Sequence, residues 1–523
     1  MSPDRRGRPY RVPQDRTSIL ESTVDVDSRV GWLLMMSRLH HEKPELALGG
    51  AFVAALSEAG LPADRSAVSR WESGQTQARL PVLATYEKVL ELQPGQLTSV
   101  VNALRHVYAP RAEPVWTPKP DPMSESYHIR LDKLLDRLRS DSATGLDWSE
   151  FGFYSRVPSL LYLHADVWRE LSIRLVDQLS GSVGLAEAQR HDATRILLKH
   201  KIAYPWLLRA ATDFLDDPAV QLVSTPMRVL QMADGAEAAA LLLARFVDPR
   251  SDAMFEAASH GIAHKVRQGQ YSRGELQLIE ARLLQMMRHR ERQASGLEGA
   301  ILAMPATAQA RLIDASRGLR GHQELVNGAA HKEWVPPDTA LELSRRIATA
   351  ARRRLSSARL YDEDAMTPRI IREALFSARG EHRHYARLVL LGSPFRQHVA
   401  AELTQEIDAA SLEGPLVPWM LRLLRYLAGP EQESAVLSWF PSASDELAVD
   451  MALTLGNTSS SDTSLDALVD RLTGDLTRLD QAILYSLGMR RAKILTRIAR
   501  PPNSAPIRAA ATWWLNRGGA VIA

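Results

Sequence analysis

From Ser124 onward, apolar residues recur at helical spacing, and no stretch alternates inward and outward as a half-buried strand requires. The pattern is broken at Pro158, Gly181, Pro205, Pro218, Pro226, Gly235, Pro249, Pro305, Gly321 and the Pro336-Pro337 pair. Proline lacks a backbone donor and clashes with the preceding turn, and glycine loses the most freedom on ordering. Each therefore marks a helix end rather than a helix interior. Ala, Leu and Arg are abundant while aromatic residues make up 6%, which favours helix over sheet. The expected fold class is all-α.

The last third repeats weakly. Gly392, Gly429, Gly456, Gly488 and Gly518 recur at intervals of about thirty residues. Each follows similar apolar text, such as Leu388 to Leu391, Leu423 to Leu427 and Leu484 to Leu487. Glycine just past a helix end tolerates the left-handed conformation, so these five read as C-terminal caps. Helix pairs at this period predict a HEAT-like α-solenoid over 381–523. The alternative is an irregular helical bundle with chance glycine spacing.

A chain of 523 residues exceeds one ordinary core, so several domains are expected. Residues 1–27 hold Pro3, Pro9, Pro13 and many charges without apolar periodicity, and read as a flexible basic arm. Residues 28–108 turn helical. Ser28 is placed to cap a helix through Trp32, Leu33, Met36 and Leu39. His41 to Gly50 reads as a loop. A short helix from Ala51 to Ala59 ends at Gly60, and a second runs through Arg70-Trp71-Glu72 to Ser73-Gly74. Further helices are expected over Leu80 to Leu92 and Gln96 to Tyr108. Five prolines between Pro110 and Pro122 stiffen 109–123 into a linker. A helical domain over 124–380 follows, then the repeats over 381–523.

The net charge of +3 and pI near 9.0 permit an anionic partner without requiring one. The absence of cysteine excludes disulfides, thiolate metal sites and Cys nucleophiles. Arg5, Arg6, Arg8 and Arg11 are not followed by the apolar run of a signal peptide, and no segment nears the roughly 18 apolar residues of a membrane span. A cytoplasmic, nucleoid-associated protein without membrane contact is expected.

Two short helices joined by a tight turn, the second carrying exposed Arg and Ser, form the helix-turn-helix pattern. The text Ser66-Ala-Val-Ser-Arg-Trp-Glu-Ser-Gly74, then Leu80-Pro-Val-Leu-Ala-Thr-Tyr86, then Leu90-Glu-Leu92, resembles the lambda-repressor-like (Xre/Cro) DNA-binding family. In that family an aromatic or aliphatic residue followed by Glu ends the recognition helix, a Gly follows, and a Leu-rich helix comes next. The resemblance covers about 80 residues, with a long loop His41 to Gly50 and Leu61-Pro62 in the turn as departures. It implies double-stranded DNA as partner. Val68, Trp71 and Leu56 should face the core. Arg65, Ser66, Ser69 and Arg70 should read base edges in the major groove, where Arg donates two hydrogen bonds to guanine. Gln75, Thr76 and Gln77 should touch the sugar-phosphate backbone. Glu72 would repel phosphate, so its expected role is to bond a nearby Arg or backbone amide. Arg6-Gly-Arg8-Pro resembles the core of an AT-hook, which implies Arg6 and Arg8 in a narrow minor groove. The plain reading of the same residues is a solvated basic tail.

Other signals are weaker. His260 and His264 stand four apart, yet no Glu follows the first, so no metal is expected there. Arg345, Arg352 and Arg359, with Arg346, Arg353 and Arg354, make a basic helical face that is solvated, partner-facing or phosphate-facing. Arg490, Arg491, Lys493 and Arg497 make a similar patch. Neither a phosphate-binding glycine loop nor a nucleophile elbow is present, so no catalytic residue, cofactor or enzyme activity is expected. The leading expectation is a sequence-specific transcription regulator from a high-GC bacterium. It would act as a homodimer, its helical region dimerising or receiving a protein partner or small-molecule effector. The alternative is a DNA-bound scaffold for plasmid, phage or chromosome maintenance.

Overall fold

The structure, a computed structural model, describes residues 10–109, 124–140, 142–155, 163–289, 296–355, 360–361, 363–458 and 465–521. Within these residues it is all-α, with no strand and three isolated bridges: Tyr10 to Tyr361, Ser182 to Val521, and Glu333 to Ser377. No described helix is long and apolar enough to cross a membrane.

In chain order the helices are α1 (Val26–Leu39), α2 (Gly49–Glu58), α3 (Arg65–Glu72), α4 (Leu80–Val89), α5 (Gln96–Tyr108), α6 (Glu125–Arg139), α7 (Gly145–Ser155), α8 (Ala165–Gly181), α9 (Gly184–Leu197) and α10 (Ala203–Asp216). There follow α11 (Ser224–Met232), α12 (Ala236–Val247), α13 (Asp252–Arg267), α14 (Arg273–His289), α15 (Glu298–Ala303), α16 (Ala306–Ala315), α17 (His322–His331), α18 (Pro337–Arg353) and α19 (Met366–Phe376). The series closes with α20 (Gly380–Gly392), α21 (Arg396–Ala410), α22 (Val417–Leu427), α23 (Glu433–Trp439), α24 (Asp445–Asn457), α25 (Asp466–Val469), α26 (Arg478–Met489), α27 (Leu495–Ile498) and α28 (Ala505–Arg517).

The chain divides into two compact units. Unit 1 draws on 1–119, 338–375 and 381–409; unit 2 draws on 120–337, 376–380 and 410–523. Breaks at 119/120 and 380/381 fall at boundaries that the sequence also marks, and unit 1 further takes in 338–375 and 381–409. Side chains far apart in sequence explain unit 1. Trp32 of α1 is fully buried and stacks on Phe395, with ring centroids 5.7 Å apart. Gln96 of α5 donates to the Gly392 carbonyl at 2.9 Å. The Arg29 guanidinium bonds Asp15 and Glu373, each at 2.7 Å, with all three side chains buried. Burial alone would weaken Arg29 as a base, but the Glu373 and Asp15 carboxylates more than reverse this and raise its pKa.

The same network corrects the flexible-arm reading for residues 10–25. Tyr10 donates its N–H to the Leu360 carbonyl at 3.1 Å, and Val12 and Asp15 are buried. Arg369 bonds the carbonyls of Asp15 and Thr17 at 2.7 Å each. An acidic residue among the arm's arginines is the anchor point, because it meets two arginines of the helices. Arg6 and Arg8 lie outside the described residues, as do residues 110–123 of the Pro-rich linker.

In unit 2 every second helix packs beside the next of its kind: α7 on α9, α11 on α13, α13 on α15, then α22 on α24, α24 on α26, and α26 on α28. The end of the unit returns to its beginning. Val521 donates to the Gly181 carbonyl at 2.8 Å, Trp513 Nε1 donates to Asp217 at 2.9 Å, and Arg517 pairs with Asp177.

The recurring glycines have a different role from the one expected. Only Gly518 takes a left-handed C-cap conformation, with φ +42°. Gly456 and Gly488 lie inside α24 and α26. A Cβ at Gly456 would stand 2.6 Å from the Tyr485 ring, and one at Gly488 would stand 2.0 Å from the Trp514 ring. Each glycine thus admits an aromatic ring from the next packed helix. At these two positions the glycine records helix-to-helix approach rather than capping.

Candidate nucleic-acid interface

The first turn of α1 begins two residues before the expected Ser28 cap. Asp25 is the cap: its carboxylate accepts the Ser28 N–H at 3.0 Å and the Ser28 hydroxyl at 2.7 Å. The expected loop from His41 to Gly50 contains a 3-10 turn over Pro44–Ala47, and α2 starts at Gly49. Proline at the first turn position, where no donor is needed, makes that turn favourable. Helix α5 begins at Gln96 because the buried Glu87 carboxylate accepts the N–H groups of Gly95 at 2.9 Å and Thr98 at 2.7 Å.

Helix α3 starts at an aspartate. Asp64 Oδ1 accepts the Ala67 N–H at 2.6 Å, satisfying one orphan donor of the first turn. Val68 and Glu72, one turn apart, are buried, as is Leu56 of α2. Trp71, expected in the core, is only half-buried. Glu72 takes the inward position because a cation waits there. Arg38 of α1 donates from Nε to Oε1 and from Nη2 to Oε2, each at 2.6 Å, and from Nη1 to the Ala47 carbonyl at 2.6 Å. Tyr86 Oη donates to the same Glu72 at 3.2 Å. Burial, together with the Glu72 charge, pushes the Tyr86 phenol well above its ordinary range and keeps it a donor.

The C-terminal end of α3 lies hard against α1. A Cβ at Gly31 would stand 2.7 Å from the Glu72 carbonyl oxygen. Gly74 has φ +75°, and a Cβ there would meet the Asp27 backbone at 2.7 Å. Conformation and space both demand glycine at Gly74.

The opposite face of α3 presents Arg65, Ser66, Ser69 and Arg70, all exposed. Their positions, two adjacent pairs one turn apart, put them on one side of the helix. Arg70 Nη1 donates to Ser66 Oγ at 2.7 Å. The Arg65 guanidinium lies over the start of α2, where a Cβ at Gly50 would meet Nη2 at 2.6 Å. No acidic side chain of α3 shares this face, since its one carboxylate, Glu72, is buried. Beyond the helix, Gln75 and Thr76 are exposed and Gln77 is half-buried. The Thr76 N–H is held by the Arg70 carbonyl at 3.1 Å.

Behind that loop stands a residue which sequence reasoning missed. Arg105 of α5 is buried, and its Nη1 donates to the Ala78 carbonyl at 2.9 Å. Its Nε and Nη2 have no hydrogen-bond partner among the described residues. Burial lowers its pKa, and Asp27 only partly opposes this. Arg29 and Arg38 were missed too. Their signal was present: an arginine inside an apolar run such as Val30 to Leu39 must pair or be expelled.

The remaining charged patches are partly engaged within their own units. Arg346 bonds Glu406 at 2.6 and 2.8 Å, Arg354 pairs with Glu402, and Arg352 lies over the Tyr361 ring at 4.4 Å. Arg345 and Arg353 of the same helix are exposed. Arg490 bonds Glu433 at 2.6 Å. His260 bonds the Glu256 carbonyl at 2.8 Å, and His264 meets Gln268 at 2.9 Å. No protein family, no curated protein and no solved structure matches the chain.

Proposed function

We propose that α2 and α3 form a lambda-repressor-like helix-turn-helix element, and that the protein is a sequence-specific regulator of transcription on double-stranded DNA. One observation carries this reading. Helix α3 is locked by its buried Glu72 while Arg65, Ser66, Ser69 and Arg70 stand exposed on the other side. A rigid helix with such a face suits the major groove, about 12 Å wide. Arg65 and Arg70 read guanine edges, Ser66 and Ser69 contact bases or phosphates, and Gln75, Thr76 and Gln77 position the DNA backbone. Arg6 and Arg8 add minor-groove or sequence-independent affinity.

One recognition helix reads only a few base pairs. The protein therefore acts as a homodimer on a palindromic site, with half-sites roughly 34–36 Å apart or a multiple of that. The next-but-one helix packing of unit 2 suits a helical-repeat surface that receives a partner or effector. The setting is the bacterial cytoplasm, at the nucleoid.

Selection of binding sites from a random DNA pool tests the reading. The full chain should enrich a short two-fold symmetric motif and scatter light as a dimer at micromolar concentration. The full chain is required because residues 338–375 and 381–409 complete unit 1. A pool that stays random, from a folded protein, would defeat the proposal.

A further inference from the structure

The last stretch of unit 2 is basic throughout. From Gln481 to Ala523 the sequence holds seven Arg and Lys residues and neither Asp nor Glu. Two of the seven pair with carboxylates from earlier in the chain, Arg490 with Glu433 and Arg517 with Asp177. Lys493, Arg497 and Arg500 follow Arg491 and are exposed, as Arg491 itself is.

Arg491 differs from the others in how it is held. Helix α26 ends in a left-handed turn, where Ala492 donates its N–H to the Leu487 carbonyl at 2.9 Å and Arg491 donates to the Gly488 carbonyl at 3.0 Å. The left-handed residue is Arg491, with φ +52°, at a position where glycine is the usual choice. Its side chain reaches the end of α28. Nε donates to the Gly518 carbonyl at 2.9 Å, and a Cβ at Gly519 would stand 2.6 Å from Arg491 Cγ. Glycine at 519 thus admits the arginine stem, and Ala520 closes the junction by donating to the Met489 carbonyl at 2.7 Å. The terminal nitrogens Nη1 and Nη2 of Arg491 have no hydrogen bond and no ion pair among the described residues.

Arg491 lines a cleft of about 500 Å³ at this junction. Asn516 and Arg517 add polar groups to it, and Leu495, Trp514 and the exposed Leu515 add an apolar wall. Among the described residues no carboxylate lines it. A recess of this size, with a few polar groups set beside apolar ones, suits a small molecule. A guanidinium fixed through Nε presents its two terminal nitrogens as a fork, which matches a carboxylate or phosphate, and the basic surroundings favour negative charge. We infer that the cleft between the ends of α26 and α28 binds a small ligand with an oxyanion at one end, phosphate or carboxylate, and an apolar body. Arg491 and Asn516 take the oxyanion, and Leu495 and Leu515 cover the apolar part. Every residue involved lies in unit 2, so the inference goes beyond DNA recognition and does not rest on it.

Calorimetric titration of the full chain tests it, with phenyl phosphate and benzoate as probes at one fixed ionic strength. At least one probe should bind saturably with a dissociation constant of about 1 mM or below, and the tighter of the two identifies the oxyanion. Arg491→Gly suits the left-handed backbone, so it should weaken binding by about tenfold or more while the thermal midpoint stays near that of the wild type. Leu515→Ser changes an exposed side chain and should weaken the tighter probe several-fold. Lys493→Ala removes a neighbouring charge that does not line the cleft and should change little. Arg70→Ala should also bind as the wild type does, which separates this site from the DNA-reading face. If Arg491→Gly melts early, Leu515→Ser decides. No saturable binding of either probe, unchanged binding in Arg491→Gly or in Leu515→Ser, or a loss in Lys493→Ala as large as that in Arg491→Gly would overturn the inference.

Discussion

The guanidinium of Arg38 and the carboxylate of Glu72 meet through two parallel hydrogen bonds of 2.6 Å, with both side chains buried. This pair sets the rotation of α3 about its own axis, because Glu72 must point at α1. The exposed positions Arg65, Ser66, Ser69 and Arg70 follow from that rotation.

Arg38→Met should therefore destabilise unit 1 by about 3–5 kcal/mol, the usual cost of leaving a buried charge unpaired. Replacing both partners with apolar side chains should recover part of the loss. Urea denaturation measures both, and a loss below about 1 kcal/mol for Arg38→Met would show that Glu72 finds other support.

Arg65→Ala and Arg70→Ala should leave the denaturation midpoint nearly unchanged, since both side chains are exposed. Each should lower affinity for a selected DNA site by about 1–3 kcal/mol while scarcely changing affinity for random DNA at the same salt concentration. Equal losses on both DNAs would reassign the two arginines to phosphate contact.

Two truncations should behave differently. Deleting residues 1–8 removes Arg5, Arg6 and Arg8 and should reduce the salt dependence of DNA binding by roughly 0.9 per lost phosphate contact, with stability unchanged. Deleting residues 1–20 also removes Tyr10, Val12 and Asp15, and leaves Arg29 with one of its two carboxylates. That chain should be markedly less stable in a melting experiment. Equal stability of the two truncations would contradict the packing of residues 10–20.

His40 predicts a loss of stability in mild acid. Its Nε2 lies 2.9 Å from Tyr361 Oη, and burial, aided by His398 and Arg352, pushes its pKa down from 6.5 to about 4. The unfolded chain therefore takes up the proton first. The contribution is constant above about pH 6.5 and stability falls from there toward pH 4, by about 1–3 kcal/mol, with solvent screening favouring the lower figure. His40→Gln should flatten this slope in part, because His191 is also lowered to about 4 and titrates over the same range. An imidazole resonance of His40 that titrates near pH 6.5 in the folded protein would refute the assignment.

The sequence by itself determined the helical class, the ends of several helices, and the face of α3 that meets solvent. These are local properties: helical periodicity, proline and glycine breaks, and the alternation of Val68 with serine and arginine follow from neighbours within a turn or two. The start of α5 at Gln96 was legible because Pro94-Gly95 precedes it, while Asp25, three residues ahead of Ser28, took the α1 cap that Ser28 was equally suited to hold. Tertiary structure alone decided what residues distant in the chain do to one another. Asp15 reads as one charge in a basic tail until Arg29 and Arg369 converge on it. Gly456 and Gly488 read as caps until Tyr485 and Trp514 arrive from the next helices. Burying a charge or admitting a ring depends on a partner whose position is set by the whole packing, and a one-dimensional pattern carries the need for that partner without its identity.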